Sequence, residues 1–499
     1  MKKQSSPQKE PSFDRGDPKN RCYVGVKETA AYVVYDMSQS FNINAYKGDF
    51  VTKVLQVDLA LQGFGKVVIG VWDIVNDLFT GAVVDKARTR YGKFRPFLLA
   101  LAVPGTLLSA LYWLMPLFFQ GASPQSMSKF VTYLVMEVVL EGVGTFQGIA
   151  RGGLLATITP YPKDRTRLIT LANFASGFLG EKLPQQIFSL LQDAIHHELI
   201  GTVDMIPKLY MSMGVITVVI AGVGALWFFC LSKERISQSE EKPTLRQSFR
   251  TILRNRPMLA LALSDVLGSF SLGGSQHDYM TDVLDIGSLG MLTGLPGAFI
   301  NPISYALVPW FRRRFSDRTL FIMGKYSMNL FAVPVFFFGS IGGKQNGLYK
   351  KPLPMGIALT IYETCYMFFF GVRSVIPSEL YNESMDYCEW KNGYRGEAMI
   401  SVVKSVAEKV PRYTGDIAGK FLFKRFGYDI KAYVEKRAQS SSAQYFIFSL
   451  WTIAAFLVKL PGIIPALFYN LDEKTKEKMY EELLARRRAM ALTDEQEGE

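Results

Sequence analysis

Cysteine and histidine are scarce, with four and three residues in a chain of 499. Cys22, Cys230, Cys365 and Cys388 show neither paired nor metal-ligand spacing, so neither a disulfide scaffold nor a zinc centre is encoded. Cys230 and Cys365 fall in apolar runs and read as small buried hydrophobes. His196, His197 and His277 accompany no recognisable nucleophile motif, and the pair His196-His197 is expected in a solvated outer connection. No catalytic constellation is present, so an enzyme is not expected, and no resident cofactor is called for. The first 24 residues are polar and charged, so no cleaved signal peptide is expected.

Charge is also missing over long stretches. Phe97–Phe119 runs 23 residues without one, Met211–Ser232 runs 22 and Ile286–Phe311 runs 26. A helix needs about 20 apolar residues to cross a hydrocarbon core. Overall hydrophobicity, at 49%, is ordinary for a soluble domain, so the distribution decides. The fold class is an all-α membrane protein in contact with the lipid bilayer. Hydropathy predicts twelve spans, near 25–46, 57–84, 97–119, 130–158, 168–194 and 209–232, then 257–280, 286–311, 319–341, 353–379, 398–422 and 444–470. The implied organisation is a cytoplasmic tail (1–24), a six-helix bundle (25–232), a hydrophilic loop (233–256), a second six-helix bundle (257–470) and a second tail (471–499).

The net charge of +12 fits cytoplasmic loops rather than nucleic-acid binding. With both ends inside, the inner connections carry 21 Lys and Arg and the outer ones about twelve. This predicts a multi-pass protein of the cell membrane with cytoplasmic termini. A basic outer stretch around Lys424–Arg437 runs against the bias. Two sets of six spans suggest pseudo-symmetric halves with a solute site between them at mid-membrane. A transporter is the expectation; a channel or a membrane enzyme is the other reading of hydropathy alone. No obligatory protein partner is indicated.

An ionisable group in a span costs about 2.5–3.5 kcal/mol on insertion scales, so each needs a reason. In span 2, Asp73 and Asp77 are four apart and share a helix face, with Asn76 beside them. Two carboxylates about 6 Å apart repel by about 3 kcal/mol at an effective dielectric of 20. Such a pair calls for a proton or a hard monovalent cation, or for an interhelical salt bridge. Span 11 carries Lys404 and Lys409, and Lys409 would reach the pair if the two spans are neighbours. Span 1 carries Asp36 among Ser38, Gln39, Ser40, Asn42 and Asn44, too polar to face lipid and suited to a hydroxyl-rich solute. Span 4 carries Glu137, Glu141, Thr145, Gln147 and Arg151; an internal Glu–Arg pair is the plainer reading. Asp265, Glu363 and Arg373 read as pairing or gating charges. Tyr362 and Tyr366 read as packing residues or as a stacking surface for a sugar ring. After span 2, Gly81 allows close helix approach, and Asp85 with Arg90 forms a candidate conformational latch.

Three ordered motifs carry a resemblance. Trp72-Asp73-Ile-Val-Asn76-Asp77 with Gly81, Asp85, Arg88-Thr-Arg90-Tyr-Gly92-Lys93-Phe-Arg95-Pro96 resembles the span 2 and loop 2–3 signature of the glycoside–pentoside–hexuronide:cation symporters. Thr157-Ile-Thr159-Pro160-Tyr-Pro162-Lys-Asp164-Arg165-Thr-Arg167 resembles that family's loop 4–5, and Asp386-Tyr387-Cys-Glu389-Trp390-Lys391 its loop 10–11. The resemblance covers about 25–470 and implies the major facilitator fold, with two pseudo-symmetric six-helix bundles. It implies a cation site at Asp73, Asn76, Asp77 and Thr145, with Lys409 as the coupling lysine and Asp36 as a sugar ligand. The coupling ion is Na⁺ or H⁺. The family's span 4 sugar-binding aspartate and tryptophan fall on Gly148 and Gly152, and its span 5 arginine near Asn173. Substrate-binding candidates are therefore Asp36, Gln147, Arg151 and Asn173. Arg151 is either the ligand of an acidic or larger saccharide in a roomier pocket, or a charge neutralised by Glu141 beside tightly packed glycines.

The expected function is cation-coupled sugar symport by alternating access. A lysolipid or amphiphile carrier on the same fold, and a non-transporting sensor or scaffold, are the alternatives.

Overall fold

The computed structural model describes residues 24–86, 94–158, 162–232, 255–392, 397–472, 474–483 and 485. Among these residues there is helix and no strand. The first half holds α1 (Val26–Ser40), α2 (Leu59–Lys86), α3 (Arg95–Trp113), α4 (Met127–Ile158), α5 (Pro162–Ala175), α6 (Leu183–His196) and α7 (Ile206–Leu231). A π-helical turn, Ser176–Lys182, joins α5 to α6. The second half holds α8 (Arg256–Gly268), α9 (Gln276–Asp282), α10 (Leu289–Arg314), α11 (Asp317–Gly339), α12 (Pro352–Phe368), α13 (Phe370–Asn392), α14 (Glu397–Arg425), α15 (Ser441–Ser449), α16 (Ala455–Lys459) and α17 (Ile463–Leu467).

Every predicted span is occupied by helix. Seven helical stretches among the described residues are long and apolar enough to cross a membrane. The other five predicted spans are α1, α2, α5 with α6, α8 with α9, and α14. Four carry charged residues the sequence marked as out of place in lipid, among them Asp36, Asp73, Asp77, Asp265 and Lys409. Side-chain caps and prolines set several helix starts. Asn255 accepts from Met258 N at 3.1 Å, Ser275 from Asp278 N at 2.9 Å and Ser440 from Ala443 N at 3.1 Å. Pro257 occupies the first turn of α8, where its missing N–H is not needed.

Two predicted connections are corrected. Asp386–Lys391 was expected in a loop but lies in α13, and the loop 4–5 motif is helical from Pro162 onward. Predicted span 7 breaks between Gly268 and Gln276, where Gly273 adopts φ +71°.

The chain divides into two compact units. The first comprises Met1–Leu61, Val71–Glu240 and Tyr433–Lys436; the second comprises Gln62–Gly70, Glu241–Ala432 and Arg437–Glu499. In the first, α7 packs against α1 and α3, and α3 against α4. Glycines of α7 permit this closeness: a Cβ on Gly214 would strike the Trp113 ring, and one on Gly222 would strike Thr106. In the second, α10 packs on α12 and α13, α11 on α13 and α12, and α8 on α14 and α17. There α2 contributes Gly63 and Gly70, whose Cβ positions meet Phe421 at 3.4 Å and Tyr413 at 2.9 Å. That register along α14 is antiparallel.

Cys230 is exposed and Cys365 is half-buried, against the expectation that both are buried. A cysteine facing lipid loses nothing by exposure to an apolar solvent.

Candidate cation and solute site

The α2 helix separates its faces by chemistry. Asp73, Asn76, Asp77 and Thr80 follow the i, i+3, i+4, i+7 spacing of one face. Asp73, Asn76 and Thr80 are buried and Asp77 is half-buried, while Val71, Val75 and Phe79 on the opposite side are exposed. The polar face therefore points into the protein, as the cost of a charge in lipid requires. Asn76 Nδ2 donates to Thr145 Oγ1 on α4 at 2.8 Å. Thr80 Oγ1 donates to Asn76 Oδ1 at 3.1 Å, and Thr145 Oγ1 donates to Glu141 O at 3.1 Å. Asn76 Oδ1 and Thr145 Oγ1 each retain a lone pair. The structure thus joins two of the residues assigned to one site from sequence, and adds Thr80. Its signal in the sequence was its place one turn beyond Asn76.

Among the described residues no group of three His, Cys, Asp or Glu side chains is spaced to hold a metal ion. Two carboxylates with an amide and a hydroxyl oxygen are a hard, oxygen-only donor set, of the type that suits H⁺ or an alkali cation rather than a transition metal. Lys409 is half-buried on α14, in the second unit. The surroundings of Gly81 and the side chain of Asp85 in the last turns of α2, and all of Arg90, lie outside the described residues. The same holds for the Lys404 side chain.

Asp36 sits on the inward face of α1 and is 2% exposed. Its Oδ1 pairs with Arg151 Nη2 from α4, and its Oδ2 accepts from Ser176 Oγ at 2.6 Å. Both oxygens are therefore committed within the protein. The exposed member of the pair is Arg151, whose side chain is 39% accessible. The alternative pairing of Arg151 with Glu141 is corrected: Glu141 lines a separate cavity, and a reach from α4 to α1 satisfies Arg151. Ser176 was missed from sequence. It opens the π-helical turn that follows α5, a turn pressed against α1 at Gly180, where a Cβ would lie 2.8 Å from Met37 O.

Asn173 is exposed on α5, three residues before Ser176. Gln147 faces α3 rather than Asp36, its Nε2 lying 3.4 Å from the Cβ position of Gly105. It lines a cavity of about 280 Å³ with Gln39, Asn42, Thr106, Ser109 and Glu141. A Cβ on Gly148 meets no atom within 4 Å, so that glycine is not held by helix packing. The surroundings of Gly152 are outside the described residues. Glu137 accepts from Tyr112 OH at 2.6 Å.

A family profile described as MFS/sugar transport protein matches residues 23–473. The chain belongs to that family. It is a multi-pass membrane transporter and not an enzyme. It is 25% identical over 386 residues to the glucuronide carrier protein homolog of Escherichia coli (strain K12), covering 76% of this chain and 78% of that protein. It is 24% identical over 451 residues to the isoprimeverose transporter of Lactiplantibacillus pentosus, covering 87% and 88%. Among solved structures, a D-xylose-proton symporter superposes with a TM-score of 0.56 at 14% identity, covering 89% of this chain and 97% of that one. That likeness shows the major facilitator fold.

Proposed function

We propose that the protein is a cation-coupled symporter of sugars, held in the cell membrane with both ends cytoplasmic, its two halves being the bundles 25–232 and 257–470. The observation that carries the coupling is the Asn76–Thr145 hydrogen bond, which sets a hydroxyl from α4 against the acidic face of α2. Na⁺ or H⁺ binds there, among Asp73, Asp77, Asn76 Oδ1 and Thr145 Oγ1. It relieves about 3 kcal/mol of carboxylate repulsion at an effective dielectric of 20.

Lys409 is the coupling lysine of this reading. It takes this role from the family resemblance, in which a span 11 lysine neighbours the cation site. A cation entering between Asp73 and Asp77 takes over the charge compensation that a lysine provides in its absence. Solute engages Arg151 and Asn173, with Asp36 orienting Arg151, while Gln147 offers its amide in the cavity that it lines with Gln39 and Asn42. The roomy surface at Gly148 accepts a saccharide where a larger side chain would intrude. With both sites filled, the halves alternate their access, and the Gly81, Asp85 and Arg90 region is the inner latch. The names of the relatives, for glucuronide, isoprimeverose and D-xylose with a proton, agree with this class of solute and with coupling.

Asp77→Asn tests the assignment. Uptake of labelled pentosides and glucuronides into vesicles, driven by a Na⁺ or H⁺ gradient, is expected to fall to the level of protein-free vesicles. The variant should still insert in the membrane. Undiminished concentrative uptake would refute the site.

A further inference from the structure

The cavity of about 280 Å³ is walled by α1, α3, α4 and α7, all within the first unit. Gln147 on α4 and Ser109 on α3 line it. Among the described residues, neither the Gln147 amide nor the Ser109 hydroxyl makes a hydrogen bond within the protein. Gln39 on α1 adds an acceptor: its Nε2 donates to Ala221 O on α7 at 2.9 Å, which leaves Oε1 turned to other donors. Thr106 on α3 gives its proton to Ala102 O and keeps its lone pairs.

An amide at membrane depth is costly unless it is satisfied. Gln147 offers two N–H groups and one oxygen, and Ser109 one donor with an acceptor. A sugar hydroxyl likewise donates and accepts, so this wall matches a hydroxylated ring. The two charged side chains of the lining, Glu141 and Lys47, are opposite in sign and single out neither an anion nor a cation. The volume lies just under the roughly 300–1,000 Å³ of pockets that hold drug-sized ligands, which suits one ring and not two.

Position ties the cavity to the solute site. Gln39 lies three residues beyond Asp36 on α1, and Gln147 lies four residues before Arg151 on α4. The cavity is thus about one helical turn, about 5 Å, from the Asp36–Arg151 pair along both helices. Glycine makes the room. Gly144 lines the cavity, and a Cβ there meets no atom within 4 Å.

We propose that this cavity is a subsite of the first bundle that takes one pyranose-sized ring of the solute. Gln147, Ser109 and Gln39 are its hydrogen-bonding groups, and Gly144 sets its depth. The inference rests on the transport reading above and adds α3 and α7 to the surface that selects the solute.

The test uses the purified full-length protein with methyl β-D-xyloside and methyl β-D-glucoside as one-ring probes. Affinities are measured by calorimetry at fixed pH and Na⁺. Gly144→Leu puts a side chain where the ring would lie and should weaken the better-bound probe about tenfold or more. Gln147→Ala should weaken it about fivefold, the worth of one hydrogen bond. Gly144→Cys reports location directly, with less bulk. Saturating probe should slow alkylation of that thiol by a small maleimide about tenfold, measured above the background of the native cysteines. Alkylation that is not slowed while a probe still binds would show a hydrated cavity only, overturning the subsite and leaving the transport reading standing. Affinity unchanged in both Gly144→Leu and Gln147→Ala would do the same. So would binding of neither probe by a parent that still carries labelled sugar into vesicles. Binding of neither probe, with no sugar flux, would sink both.

Discussion

Asp36 and Arg151 lie 115 positions apart and form one ion pair inside the first unit. Asp36 was legible in the sequence, because a carboxylate in an apolar helix demands a partner. The partner was not. Glu141 and Arg151 share α4 and made the nearer guess, but an arginine side chain spans the gap between helices more readily than sequence distance suggests. The same limit hid Ser176, whose position depends on a π-helical turn that no composition signals. The pair predicts a stability asymmetry. Arg151→Met strands a buried carboxylate that keeps only the Ser176 hydroxyl, and should cost about 3 kcal/mol, the low end for breaking a buried pair because Arg151 is 39% exposed. Adding Asp36→Asn to that variant removes the stranded charge and should recover most of the loss. Chemical unfolding of the two variants checks this; a double variant as unstable as Arg151→Met would show that the cost lies in lost packing.

At the scale of elements, hydropathy located all twelve helical stretches but not their ends. It reports depth in lipid, whereas helices continue into water wherever caps and packing allow. This is why α13 runs on through Asp386–Lys391. The connection between α14 and α15 is basic, which runs against the charge bias expected of an outer loop, and Tyr433 and Lys436 within it have defined partners. Tyr433 stacks on His196 at 4.4 Å with an interplanar angle of 11°, Lys53 Nζ lies 4.7 Å from its centroid, and Gln192 Nε2 donates to its hydroxyl at 3.0 Å. His196 is consequently buried, which corrects its expected place in solvent. Lys436 pairs with Glu198 at 2.7 Å, both in left-handed backbone, with φ 51° and 57°. Arg437 likewise pairs with Asp429 at 2.9 Å, so two of the basic residues in this stretch have acidic partners close by. Tyr433→Ala should cost about 3–5 kcal/mol, and hydrogen exchange of 429–437 should quicken. The Lys436 hydrogen bond and charge hold the Glu198 carboxyl below its usual range. A depressed folded-state pKa gives stability that is present above the unfolded value and lost as pH falls through the folded one. The same amides should therefore exchange faster, relative to their intrinsic rates, below about pH 4. Protection unchanged in both experiments would mean that the segment is fixed by its flanking helices alone.

For the whole molecule, coupling is a thermodynamic relation between two sites, and it constrains binding before any transport is measured. If the cation at Asp73 and Asp77 tightens solute by some factor, solute must tighten the cation by the same factor. A tenfold effect in each direction corresponds to about 1.4 kcal/mol of coupling. The proposed cation side draws on the sequence, because two acids one turn apart are improbable in lipid without a shared ligand. The solute side was readable only in part, since departures at Gly148 and Gly152 show what is missing from a pocket and not what replaces it. Measuring glycoside affinity against Na⁺ concentration, and against pH at fixed Na⁺, should show which ion carries the effect. The reverse titration of that ion with and without glycoside should return the same factor. In Asp77→Asn the factor should fall to one. A glycoside affinity independent of both ions would leave the sugar site intact and remove the coupling, because no free energy would then pass between α2 and the solute.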